Sequence, residues 1–209
     1  MNIPTNIKYI IERILEDESR WKALYMATWG YSYQIEAQYQ GGTLWDMLIP
    51  FGLPASKYKQ YAYKPKELHS ILTSRDGEFT IGHLQTLFSL FEELLNEVSK
   101  ILHGLELNTS KWKNMENFFN QTATKDILST QDINELNLAK KTRNCFIHNG
   151  SRIDQKWIDA YQKARGGISP AGLGDELQKG LLNKFHQIED WHELIIDITK
   201  RIERKIILK

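Results

Sequence analysis

Arg143 and His148 stand five positions apart in the segment Arg143-Asn144-Cys145-Phe146-Ile147-His148-Asn149-Gly150. An imidazole takes or gives a proton near neutral pH, and a guanidinium holds a phosphate through its planar fork. The two groups suit cleavage of RNA without a metal ion. In that reaction the ribose 2′-hydroxyl loses a proton and attacks the neighbouring phosphorus, while charge builds on the phosphoryl oxygens. One histidine does not readily serve as both base and acid in a single pass. A two-fold dimer that faces two copies of the segment across a cleft supplies the second.

Those side chains need a helix to carry them. Thr130 is a candidate N-cap, and Ile133, Leu136, Ala139 or Lys140, and Arg143 follow at helical spacing. On a regular helix Arg143 and His148 differ by about 140° in direction and roughly 7.5 Å along the axis. They share no face unless the end unwinds. Asn149-Gly150 is a helix stop, because both residues tolerate the left-handed conformation, so local unwinding is expected to redirect His148. Asn144 follows the arginine and can orient it or meet phosphate. Asn149 is read first as the terminator and second as an RNA contact. Cys145 lies three before His148, a spacing open to a thiol–imidazole pair, but Cys145, Phe146 and Ile147 read better as a packed run.

Helical periodicity governs most of the chain. From Thr5 to Gln38, Ile7, Ile10, Ile11, Ile14 and Trp21 recur at three- and four-residue steps, as one bent helix or two. A long helix with Thr80 as N-cap carries Leu84, Leu87, Phe88, Phe91, Leu94 and Val98 and stops at Gly104. Ser110 opens a shorter one with Met115, Phe118 and Phe119. Trp157, Ala160 and Tyr161 mark another, broken at Gly166-Gly167 and Pro170. A last helix runs from about Gly180 to Ile207. No period-two strand and no fixed repeat is present. The expected fold is all-α: residues 1–78 as an N-terminal helical extension with a long irregular segment, and 79–209 as a helical bundle.

The irregular segment, Gly41 to Gly77, holds Pro50, Pro54, Pro65 and Asp76-Gly77. Within it, Lys57 to Lys66 interleaves tyrosines with lysines, and Tyr61 and Lys64 are candidate contacts to single-stranded RNA by stacking and phosphate attraction. The alternative is a loop whose tyrosines pack on the bundle. The glycines from 166 to 174 lack the Gly-Lys-Ser/Thr of a triphosphate cradle and read as a connector. Basic residues from Lys200 to Lys209 are expected at any helix end.

The string from Thr142 to Gly150 resembles the signature of the HEPN superfamily of all-helical RNA-processing proteins: an arginine, a polar residue, a short spacer, then a histidine near a helix end. The lead-in of Ile133, Leu136 and Lys140 and the earlier helix Phe88-Ser-Leu-Phe-Glu-Glu-Leu-Leu95 are similar to helices of that family, and the resemblance spans residues 79 to 207. It implies a ribonuclease of a toxin–antitoxin or antiviral system, acting as a homodimer with a composite site. Arg143 and His148 are then the catalytic pair and Asn144 the polar helper; Asn149 and Lys140 lie beside them as RNA contacts, and Glu92 or Glu93 is an acidic residue facing the site. A HEPN-like module that binds RNA, a nucleotide or a protein partner without cutting is the alternative.

Composition bounds these readings. Net charge is +1, which gives no global field for steering onto RNA, so a local patch must do it. The single cysteine excludes an intrachain disulfide and a multi-thiolate zinc site. His69, His83, His103, His186 and His192 form no sequence pattern of metal ligands, and no metal or cofactor is expected. With neither a signal-peptide pattern nor a membrane-length apolar run, a cytoplasmic location and no membrane partner are expected.

Overall fold

The computed structural model describes residues 3–38, 76–121, 124–177 and 184–207. Among these the chain is an all-α helical bundle: α1 Thr5–Gln38, α2 Asp76–His103, α3 Trp112–Asn120, α4 Thr130–His148, α5 Gln155–Arg165 and α6 Lys184–Ile207. Met1–Glu18 and Thr80–Lys209 form one compact unit, and Ser19–Phe79 a second. The first turns of α1, grouped by sequence with the irregular segment, therefore belong with the bundle. Ile7, Ile10, Ile11 and Ile14 are buried in the same core as Phe88 and Phe91 of α2, Phe118 and Phe119 of α3, Trp157 of α5 and Trp191 of α6. No helix among the described residues is long and apolar enough to cross a membrane. The segment with Tyr61 and Lys64 lies outside the described residues.

Helix α4 is the hub, packed against α3, α5 and α6. Its start is set by a capping box one residue earlier than expected. Ser129, not Thr130, is the N-cap: its hydroxyl accepts from the Asp132 amide at 3.1 Å, and the Asp132 carboxylate accepts from the Ser129 amide at 2.9 Å. Arg201 of α6 donates to the same carboxylate at 3.0 Å. One side chain thus fixes the helix start and ties it to α6. Deeper in, the Trp157 indole of α5 donates to Thr142 Oγ1 at 2.9 Å, and the Trp191 indole donates to Glu135 Oε2 at 3.1 Å. Both tryptophans are fully buried, so these bonds satisfy donors that burial would otherwise leave costly.

Other boundaries differ from expectation for local reasons. Asp76 and Gly77 fall inside α2 rather than in a turn, so Thr80 lies within the helix and not at its N-cap position. Ser110 bonds Asn108 instead of opening α3, which begins after Lys111 with no side-chain cap. Gly104 does end α2, in the left-handed region at φ +68°.

Burial raises the Asp132 carboxyl, but the Ser129 amide and hydroxyl and the Arg201 guanidinium outweigh it and hold it below the ordinary carboxylate range. A lowered folded-state value adds stability above the unfolded value of about 3.9 and loses it as pH falls through the folded one. Ser129→Ala should cost about 1 kcal/mol at neutral pH in urea denaturation. Asp132→Asn should flatten the acid limb of stability against pH below about pH 4.

Candidate functional site

The segment singled out by its chemistry forms the last two turns of α4 and the cap beyond it. The helix stays regular through His148: the Asn149 amide donates to the Cys145 carbonyl at 3.1 Å, an ordinary i to i−4 bond. The unwinding expected to redirect His148 does not occur. The turn comes later. Asn149 keeps a negative φ of −110°, while Gly150 and Ser151 take the left-handed region at +57° and +61°. The Ser151 amide reaches back to the Cys145 carbonyl at 3.1 Å and closes the helix end. A left-handed serine is strained, so its neighbours must hold it. They do: the Leu177 amide donates to the Ser151 carbonyl at 2.7 Å, the Ile153 amide to the Asp175 carbonyl at 2.9 Å, and the Gly174 amide to the Ile153 carbonyl at 2.9 Å. The glycine-rich connector after α5 is therefore a strap across the end of the motif.

Arg143 and His148 consequently part ways. Arg143 turns toward α2 and is only 17% exposed; its Nη1 donates to Glu92 Oε2 at 3.3 Å, its Nη2 to Ser89 Oγ at 3.3 Å, and the guanidinium lies 5.9 Å from the Phe88 ring centre. His148 is exposed in the last turn. The alternatives for an acidic neighbour resolve to Glu92, since Glu93 is exposed. Lys140 requires a correction. It is 2% exposed, its ammonium is taken by Glu92 and by the Thr109 carbonyl at 2.5 Å, and it sits over the same Phe88 ring. A cation so buried and so engaged cannot meet RNA; it anchors α4 to α2. Two cations thus share one carboxylate, and the trio of Lys140, Arg143 and Glu92 carries one net positive charge.

Asn144 is half-buried next to Arg143. Asn149 is exposed, and its amide donates to Asp154 Oδ2 at 3.3 Å while the other oxygen of Asp154 caps α5 by accepting from the Trp157 amide at 2.8 Å. Asn149 is thus the C-cap of α4 and bonds the cap residue of α5, while the left-handed conformation expected of it is taken by Gly150 and Ser151 instead. Cys145 is fully buried, and burial pushes its thiol up to about 11, so it is a core residue and no nucleophile. Phe146 packs partly on the core, but Ile147 is 37% exposed, so the expected packed run ends one residue early.

The structure also brings together residues that sequence spacing does not connect. Glu18 of α1, His83 of α2 and His192 of α6 meet inside the bundle with potential ligand atoms within 4.8 Å of one another. A signal was present in the chain: each continues an apolar stripe, Ile7-Ile11-Ile14 for Glu18, Leu87-Leu90-Leu94 for His83, and Ile188-Ile195-Ile202 for His192. Comparison of the chain with protein-family models, with curated proteins and with solved structures finds no match.

Glu92→Ala strands the buried Lys140 and should destabilise the fold by about 3–5 kcal/mol. Replacing Lys140 by Met in the same chain should recover part of that loss, read as the denaturation midpoint. Iodoacetamide at pH 8 should leave Cys145 unmodified in the folded chain and modify it after denaturation, checked by intact mass.

Proposed function

We propose that this chain is a metal-independent endoribonuclease of the HEPN type, acting as a homodimer in antiviral defence or a toxin–antitoxin system. The observation that supports this most is the arrangement at the end of α4. An arginine that shares its one carboxylate with Lys140 is fixed by Glu92 and Ser89, and an exposed histidine occupies the last turn of the same helix. The guanidinium offers five donors; two are engaged by those partners and the Nε–H is shut away from solvent, so the second N–H of each Nη is what remains for a phosphoryl oxygen. An exposed imidazole is free to exchange protons with substrate and solvent.

Because the helix is regular, the two side chains of one chain diverge. A composite site answers this: His148 of one chain works opposite the Arg143 and His148 of a second, one imidazole taking the 2′-hydroxyl proton and the other giving a proton to the leaving oxygen. Asn144, beside Arg143, orients the guanidinium or the phosphate. The engagement of Arg143 by Glu92 favours the second reading, an RNA- or partner-binding module without cleavage, since a guanidinium already in an ion pair contributes less to a developing charge.

The test is incubation of purified protein with transfer RNA or total RNA in chelator. Cleavage should leave 2′,3′-cyclic phosphate ends and fall by about 100- to 10,000-fold in His148→Ala. Arg143→Lys, which keeps a charge for Glu92 but loses the fork, should also lose most activity. Cleavage unchanged in both variants refutes the assignment, and bound but intact RNA establishes the binding module.

A further inference from the structure

Three apolar stripes of the bundle each carry an ionisable residue, and the three meet. Glu18 is 5% exposed and His192 fully buried, and the His83 side chain is 8% exposed. Glu18 Oε2 lies 3.1 Å from His83 Nε2 and 3.7 Å from His192 Nδ1, and the two imidazole rings sit edge to face with centres 4.8 Å apart. We propose that Glu18, His83 and His192 bind a divalent first-row transition ion, zinc in preference, separate from the Arg143–His148 motif.

The distances suit the ion. Zinc bonds of about 2.0–2.2 Å in a tetrahedron set neighbouring donor atoms roughly 3.3–3.6 Å apart. The observed 3.1 and 3.7 Å bracket that range. The widest separation, at most 4.8 Å, exceeds that range and would have to close on binding. Two imidazoles and one carboxylate are a transition-metal donor set, whereas calcium and magnesium call for more oxygen ligands. A water fills the fourth position.

A second observation concerns the other nitrogen of His83. Asp17 Oδ2 lies 3.7 Å from His83 Nδ1; this oxygen is shut away from solvent and takes no hydrogen bond among the described residues. At 3.7 Å the two do not yet bond, but a carboxylate placed behind a ligating histidine can accept a hydrogen bond from Nδ1 on a small approach and leave the Nε2 lone pair for the ion. Charge agrees as well: the ion's two positive charges match the carboxylates of Asp17 and Glu18. The ion ties α1, α2 and α6 together within one compact unit, and its binding free energy adds to stability. It takes no part in RNA cleavage, so cleavage persists in chelator below the melting temperature of the ion-free chain.

The test uses the full chain, stripped with chelator, dialysed and titrated with zinc sulfate alone. The expected result is about one zinc per chain by elemental analysis, with a higher melting temperature that magnesium does not reproduce. Cobalt(II) in place of zinc should give the intense visible absorption of a tetrahedral site, a readout on the unaltered chain that needs no variant to fold. Glu18→Gln and His83→Gln should abolish stoichiometric binding with the helical circular dichroism kept. Asp17→Asn should weaken it by about 10- to 100-fold. A stripped chain that takes up no zinc at micromolar concentration, or Gln variants that bind it unchanged, overturns the proposal and leaves a proton-sharing carboxylate–imidazole cluster.

Discussion

Glu92 of α2 receives both Lys140 and Arg143 of α4, and the placement of the motif follows from that shared carboxylate. A lysine as buried as Lys140 is tolerated only with a counter-charge and its donors satisfied; Glu92 and the Thr109 carbonyl supply both. Once Lys140 is locked, the face of α4 one turn later is committed as well, and Arg143 must point to α2. His148, five residues on along a regular helix, must then point elsewhere. The divergence of the two chemical groups is thus a consequence of one buried ion pair and of helical pitch.

The end of α4 is held as firmly as its middle. Asn149 bridges to the cap of α5, Ser151 takes a left-handed conformation, and the strap from Gly174 to Leu177 hydrogen-bonds the chain just after the motif. Strain of this kind persists only where surrounding bonds over-determine it. His148, exposed in the last turn, is thus carried on a helix whose end is anchored, as the proposed two-chain site would require.

The all-α class and most helix cores were legible in the chain, because apolar residues such as Phe88, Phe91, Trp157 and Trp191 recur at helical spacing and dominate burial. Helix ends were less so. Ser129 and Thr130 are both good caps, and only the reciprocal bond to Asp132 and the pull of Arg201 choose between them. Lys140 looked like an RNA contact because charge in a sequence reads as surface; its burial depends on Glu92, forty-eight residues away. His83 and His192 showed no ligand pattern in the sequence, because their meeting with Glu18 is made by three helices distant in sequence and no short-range spacing records it.

The proposed reaction makes the ribose 2′-hydroxyl of RNA the nucleophile at the end of α4. The most direct test takes an RNA that the protein cuts and resynthesises it with a single 2′-deoxyribose on the 5′ side of the cleaved bond. This RNA should bind as before and stay intact at that position. Cleavage there at the original rate would contradict the proposed reaction.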